Sequence, residues 1–254
     1  MFQGARRLLN VMWRRATRRA LPVLCAGLSA LAPAALAETI TSARYTEPTL
    51  RYAHGILGDA EEWGALEIRT SDAVARNITY SIRLPLTSVF EDTEPRLADV
   101  DGDGKPEVIV VETSVTQGAS LAIYNQRGKI TATPYIGTRN RWLAPVAIAD
   151  LDGDGLTELA YIDRPHLAKT LRVWRFAQGT LKEVASLQGL TKHRIGERDI
   201  GGGLRNCAGK PEMIVANADW SRLMAVSWTG TTLTASDIGP HKNRRSFARA
   251  LACR

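Results

Sequence analysis

Two near-copies of one pattern constrain this chain more than any other feature: Arg96-Leu-Ala-Asp-Val-Asp-Gly-Asp-Gly-Lys-Pro-Glu-Val-Ile-Val-Val111 and Val146-Ala-Ile-Ala-Asp-Leu-Asp-Gly-Asp-Gly-Leu-Thr-Glu-Leu-Ala-Tyr161. In each, a short apolar run leads into a loop with carboxylates at positions 1, 3, 5 and 9, and a second apolar run leaves it. Apolar alternation on both sides of an Asp-Gly turn reads as strand, loop, strand, twice over.

Alternate carboxylates turned inward by a tight loop suit a hard cation, with Gly relieving the turn and a backbone carbonyl at position 7. The first ligand set is then Asp99, Asp101, Asp103, the Lys105 carbonyl and Glu107; the second is Asp150, Asp152, Asp154, the Leu156 carbonyl and Glu158. Calcium is the expected ion. An EF-hand begins the same way but needs a bidentate Glu at position 12 and a following helix. Here position 12 is Val110 or Tyr161, and the residues around it favour strands.

The N-terminus has the pattern of an export signal. Arg pairs at 6–7, 14–15 and 18–19 with no acid precede the apolar run Leu21 to Ala34 and the Ala35-Leu36-Ala37 cleavage pattern. That places the mature start at Glu38, with no anchor left after cleavage and a periplasmic or secreted destination. Those six arginines account for most of the formal charge, since +7 less six leaves +1. The basic balance therefore gives no reason to expect a nucleic-acid partner. Beyond Cys25, inside the apolar run, the cysteines are Cys207 and Cys253, and an even pair in an oxidising compartment reads as one disulfide.

Internal repetition suggests the fold. Gly104-Lys-Pro-Glu-Val-Ile-Val110 recurs as Gly209-Lys-Pro-Glu-Met-Ile-Val215, and Thr46-Glu-Pro48 as Thr93-Glu-Pro95. Inner strands are expected near 52, 97, 148, 198 and 248, the last at Phe247-Ala-Arg-Ala250, a period of about 45–51 residues. With three further strand-like runs per unit, residues 38–254 read as one all-β domain, a β-propeller of about five four-stranded blades. The last blade would be closed by residues 38–46 pairing with the C-terminal strands, and a β-sandwich is the alternative.

The acidic loops resemble those of the FG-GAP/VCBS repeats of secreted bacterial proteins, related to the calcium-loop blades of integrin α-subunits. The resemblance implies a propeller, calcium between the first and second strands of a blade, and a binding or structural role. Glu107 and Glu158 depart from the Asp more usual there. The segments His54 to Glu62 and Asp199 to Glu212 lack the ligand set and are not expected to bind metal.

Calcium does not explain a second repeat. Arg139-Asn140-Arg141, Lys192-His193-Arg194 and Lys242-Asn243-Arg244 each follow a Gly and precede an expected inner strand. They are expected to gather at the channel mouth opposite the calcium loops, beside the loops carrying Asp163, His166 and Trp220. Such a ring could grip an anionic ligand bidentately, or brace neighbouring blades. Among catalytic motifs, the chain has no Gly-x-Ser-x-Gly and no His-Glu-x-x-His. The sequence reading is a monomeric, calcium-binding, exported propeller that binds a protein or an anionic glycan, with no catalytic residues assigned. The alternative is a propeller hydrolase or lyase acting on an anionic saccharide through His54 or His193.

Overall fold

The computed structural model describes residues 38–207 and 209–254, so the expected export segment and Cys25 lie outside it. The chain begins with β1 (Thr39–Thr49), β2 (Glu62–Ser71), β3 (Asn77–Arg83) and β4 (Ser88–Phe90). It continues with β5 (Arg96–Ala98), β6 (Glu107–Ser114), β7 (Gly118–Asn125) and β8 (Gly128–Ala132), then β9 (Leu143–Ala149), β10 (Glu158–Asp163), β11 (Thr170–Ala177) and β12 (Thr180–Gln188). Last come β13 (Leu190–Thr191), β14 (Gly203–Cys207), β15 (Lys210–Asn217), β16 (Arg222–Trp228), β17 (Leu233–Pro240) and a single helix, α1 (Arg244–Leu251).

Strands β5–β8, β9–β12 and β14–β17 are three antiparallel meanders, each neighbour in sequence being a neighbour in the sheet. The first meander joins the N-terminal strands through β4, which pairs with both β2 and β6 in one eight-stranded sheet. Short connections between consecutive strands make such sheets the natural product of this sequence. Glu-Val-Ile-Val-Val at the start of β6 supplies β-branched residues on both faces, and every residue of β6 is buried.

Period-two alternation decides which core each face enters. From β6 and β7, Val108, Val110, Ala122 and Tyr124 pack with β1 and β2, while Ile109, Val111, Leu121 and Ile123 pack with β9–β11. In the same way β15 sends Met213 and Val215 to that larger core, and Ile214 and Ala216 to a small one under α1. β3 and β12 alternate exposed and half-buried residues, as edge strands do.

Three sequence expectations are corrected. Tyr52 to His54 is loop, and the long strand before it, β1, pairs with β2 over Thr39 to Thr49 rather than with any C-terminal strand. The third meander starts at Gly203, past the expected Asp199. Phe247 to Ala250 is helical, because Asn243 caps the segment and Phe247 and Ala250, three apart, turn one face inward. The described strands thus form an all-β domain of three meanders, the first sharing its sheet with the N-terminal strands.

Cys207, at the end of β14, is bonded to Cys253, just beyond α1, across a separation of 46 residues. The bond holds the only described helix against the sheet whose core it covers. Loop-closure entropy for that span contributes about 4 kcal/mol. Cys207→Ser with Cys253→Ser is expected to lower the melting temperature of the oxidised protein by on the order of 10 °C. An unchanged melting curve in a differential scanning experiment would contradict this role.

Candidate functional site

The two acidic loops close in the same way. Asp99 accepts the N–H of Gly102 on Oδ1 (2.8 Å) and of Gly104 on Oδ2 (2.9 Å); Asp150 accepts those of Gly153 (2.7 Å) and Gly155 (2.9 Å). Gly102, Gly104, Gly153 and Gly155 all sit at positive φ, which explains glycine there, since a Cβ would meet nothing within 4 Å. At position 9, Glu107 Oε2 accepts the Val100 N–H at 3.0 Å and Glu158 Oε2 accepts the Leu151 N–H at 2.9 Å. The longer side chain thus ties the first residue of the outgoing strand back to the loop's second residue.

These closures bring Asp99, Asp101 and Glu107 together, and likewise Asp150, Asp152 and Glu158, with one oxygen from each within 4.8 Å of the others in its set. Burial and the neighbouring Asp101, Asp103 and Asp99 push the Glu107 carboxyl above its usual range, despite the Val100 N–H. Crowded carboxylates of this kind repel one another and are relieved by a cation. Both all-oxygen sets fit a hard metal ion. Asp103 and Asp154 stand outside the triads, and the Lys105 and Leu156 N–H groups donate to Asp103 and Asp154.

The loops differ in one respect that repetition hides. Arg175, on β11 directly opposite Glu158, inserts its guanidinium among the second set: Nη2 to Asp152 at 2.6 Å, Nη1 to Asp154 at 2.9 Å and Nε to Glu158 at 2.6 Å. Burial pushes Glu158 upward, more than the Leu151 N–H and Arg175 pull it down. In the first loop the corresponding place, on the strand after Glu107, holds uncharged Asn125, and the nearest cation is Lys105, 3.9 Å from Asp103. The second loop carries its own counter-charge, so an arriving metal ion must displace a guanidinium there.

The basic triplets lie at the opposite end of the meanders, where Asp163 pairs in register with Leu143 and Thr170, and they border two cavities. The first borders a cavity of about 300 Å³ lined by His54, Ile56, Asn140, Arg141, Trp142, Arg164, His166, Leu167 and Ile195. Arg139 lies over the Tyr52 ring, and Asn140, at φ 55°, donates its N–H to the Tyr52 hydroxyl. The second and third meet in another cavity, of about 230 Å³, with Trp220, His241 and Phe247.

Within those triplets the expected roles divide. Lys192 is buried and donates to the Pro145 carbonyl (2.6 Å), and burial pushes its amine down to about 7. His193 is fully buried, Asn243 caps α1, and Arg244 pairs with Asp199. Arg194 is exposed, its guanidinium 4.5 Å from the centre of the Trp220 ring. Asp163 holds Arg164 and Arg172 in ion pairs. Trp220 is half-buried between Arg194, His241 and Phe247.

Sequence reasoning did not find the partner of His54. Glu91, fully buried, meets His54 Nδ1 at 2.5 Å and accepts the Thr113 hydroxyl at 2.7 Å, and burial keeps its carboxyl above the usual range. Nor was the His166–His193 contact (3.1 Å) legible, because it joins residues on separate loops.

Residues 99–161, which span both acidic loops, match the FG-GAP-like repeat family. No curated protein matches the chain. Among solved structures, the chain is similar to an exotype rhamnogalacturonan lyase, with 13% identity and a TM-score of 0.43, covering 80% of this chain and 48% of that one. The chain thus spans about half the length of that structure.

A cation held only by the folded loops adds stability as RT ln(1 + [L]/Kd), about 2.7 kcal/mol at a hundredfold excess over Kd. Chelation is therefore expected to lower the melting temperature by about 5–10 °C, and Asp101→Ala to remove part of that difference. Arg175→Gln is expected to lower it in chelator, because three carboxylates lose their counter-charge, and to widen the gain on adding calcium. Melting curves unmoved by chelator in both proteins would refute the metal reading of the loops.

Proposed function

We propose that the chain is an exported, calcium-stabilised module of propeller type that binds an anionic ligand at the end opposite its acidic loops. The observation that carries the ligand reading is the cavity where Arg194, Lys242 and Arg244 meet around Trp220. Arg194 stacks on an aromatic face instead of pairing with a carboxylate, so its donors remain available to an anion. Arg244 and Lys192 are engaged within the protein and act as braces. The acidic loops, inside an FG-GAP-like repeat, support calcium as the ion that fixes the other end.

Export is supported by the charged, apolar and small-residue pattern of residues 1–37 and by a disulfide, which persists in oxidising compartments. No helix among the described residues is long and apolar enough to cross a membrane. A polyanionic glycan is the favoured ligand class, because guanidinium, ammonium and an indole face together suit charged groups carried on a sugar ring.

Arg194→Gln separates binding from bracing. An anion site holds like charges close together in the free protein, so removing one leaves the melting temperature unchanged or slightly raised. Binding to a heparin or polygalacturonate column is expected to weaken about tenfold and to show reduced salt dependence. A clear fall in melting temperature, with no retention of the wild type on either column, would leave only the brace.

A further inference from the structure

The larger cavity has a chemistry of its own, set by two chains of hydrogen bonds that end in it. In the first, the Thr113 hydroxyl donates to Glu91 Oε2, and Glu91 Oε1 faces His54 Nδ1. Glu91 accepts the Thr113 hydroxyl on Oε2, and as a carboxylate it can only accept on Oε1 as well, which places a His54 N–H on Nδ1. With Nδ1 engaged by Glu91, Nε2 is the ring nitrogen left for a ligand. Its side chain is 11% exposed and borders the cavity.

In the second chain, His193 Nε2 lies 2.8 Å from the Glu197 carbonyl, which can only accept. His193 Nδ1 is then the acceptor, and His166 Nε2 donates its N–H to it at 3.1 Å. That leaves the lone pair of His166 on Nδ1. Burial, and then His193, hold His166 down at about 4, so this pair stays neutral at physiological pH.

Two imidazoles of fixed tautomer thus border one cavity, with Arg141 beside them and Ile56, Leu167 and Ile195 around them. Arg164 is bound to Asp163 through Nε and Nη2, whereas Arg141 donates to the Asn140 carbonyl. Leu167 and Ile195 are 64% and 69% exposed, an apolar rim over a polar floor. Imidazole acceptors ask for hydroxyl donors, a guanidinium for a carboxylate, and an apolar rim for a face of C–H groups. One class of molecule offers all three. We propose that this cavity binds a hydroxylated carboxylate of hexuronate type, its carboxylate on Arg141 and a hydroxyl donating to His54 Nε2, held in place by buried Glu91. The proposal deepens the anionic-glycan reading, on which it rests: this cavity takes one uronate unit, and the Arg194 cavity takes neighbouring charge.

The test is a calorimetric titration of the mature protein with galacturonic and glucuronic acids, and with galactose and glucose, at fixed ionic strength. Uronates are expected to bind at least tenfold more tightly than the neutral sugars. Arg141→Gln is expected to bring them down to the neutral level, and Leu167→Trp, at the exposed rim, to abolish binding of both. His54→Gln strands Glu91, so the paired change His54→Gln with Glu91→Gln is used, and it is expected to weaken uronate binding about tenfold.

Equal affinities for uronates and neutral sugars, or unchanged affinity in folded Arg141→Gln and Leu167→Trp, would overturn the proposal. Wild-type retention on a polyanion column without uronate binding would reject this cavity and keep the basic-face reading. Uronate binding without retention would do the reverse.

Discussion

Several carboxylates wound into a nine-residue loop repel one another, and everything at that end of the molecule follows from how their charge is balanced. The backbone does part of the work, since glycine N–H groups hold Asp99 and Asp150 and the N–H of each loop's second residue holds its glutamate. Burial alone would raise Asp150, yet the N–H groups of Gly155, Gly153 and Asp154 hold it below its usual range. The remaining charge needs a cation, and the chain meets that need in two ways. One loop has no guanidinium among its carboxylates, while the other has Arg175. The loops also touch, the Thr157 hydroxyl donating to the Asp99 carbonyl at 3.4 Å, so the state of one bears on its neighbour.

Fixing that end gives the other its freedom to vary. Each acidic loop joins strands in fixed register, with Glu158 opposite Ala149 and Arg175, and these strands are buried by alternate faces in different cores. Loops at the far end then carry residues with no structural repeat in common. His54, His166 and Arg141 come from three separate connections, yet all three border one cavity. Function is placed on loops held by a rigid scaffold.

What was legible in the sequence was local. The acidic spacing, the strands flanking it and the Cys207–Cys253 pair depend on residues close in the chain or on arithmetic of residue types. Phe247-Ala-Arg-Ala250 fell where the repeat period placed a strand, although apolar residues at 247 and 250 fit a helix at spacing three, and the capping role of Asn243 shows only once Ser246 is seen to return the bond. Tyr52 to His54 was misread because alignment of repeats placed a strand where the chain instead packs Tyr52 against the first basic triplet. Glu91 and Arg175 were invisible for a plainer reason. Each owes its role to a partner on another strand or loop, and no spacing within the sequence announces such a pair.

The account stands most directly on whether the acidic loops hold a cation, and unequally. A calcium isotherm of the mature protein, titrated from a metal-free state and followed by heat, measures both. The expected result is one tight site, from the loop of Asp99, Asp101 and Glu107, and one weaker site where Arg175 must be displaced. No bound calcium at millimolar concentration would contradict the account at its root, and two sites of equal affinity would remove the part assigned to Arg175.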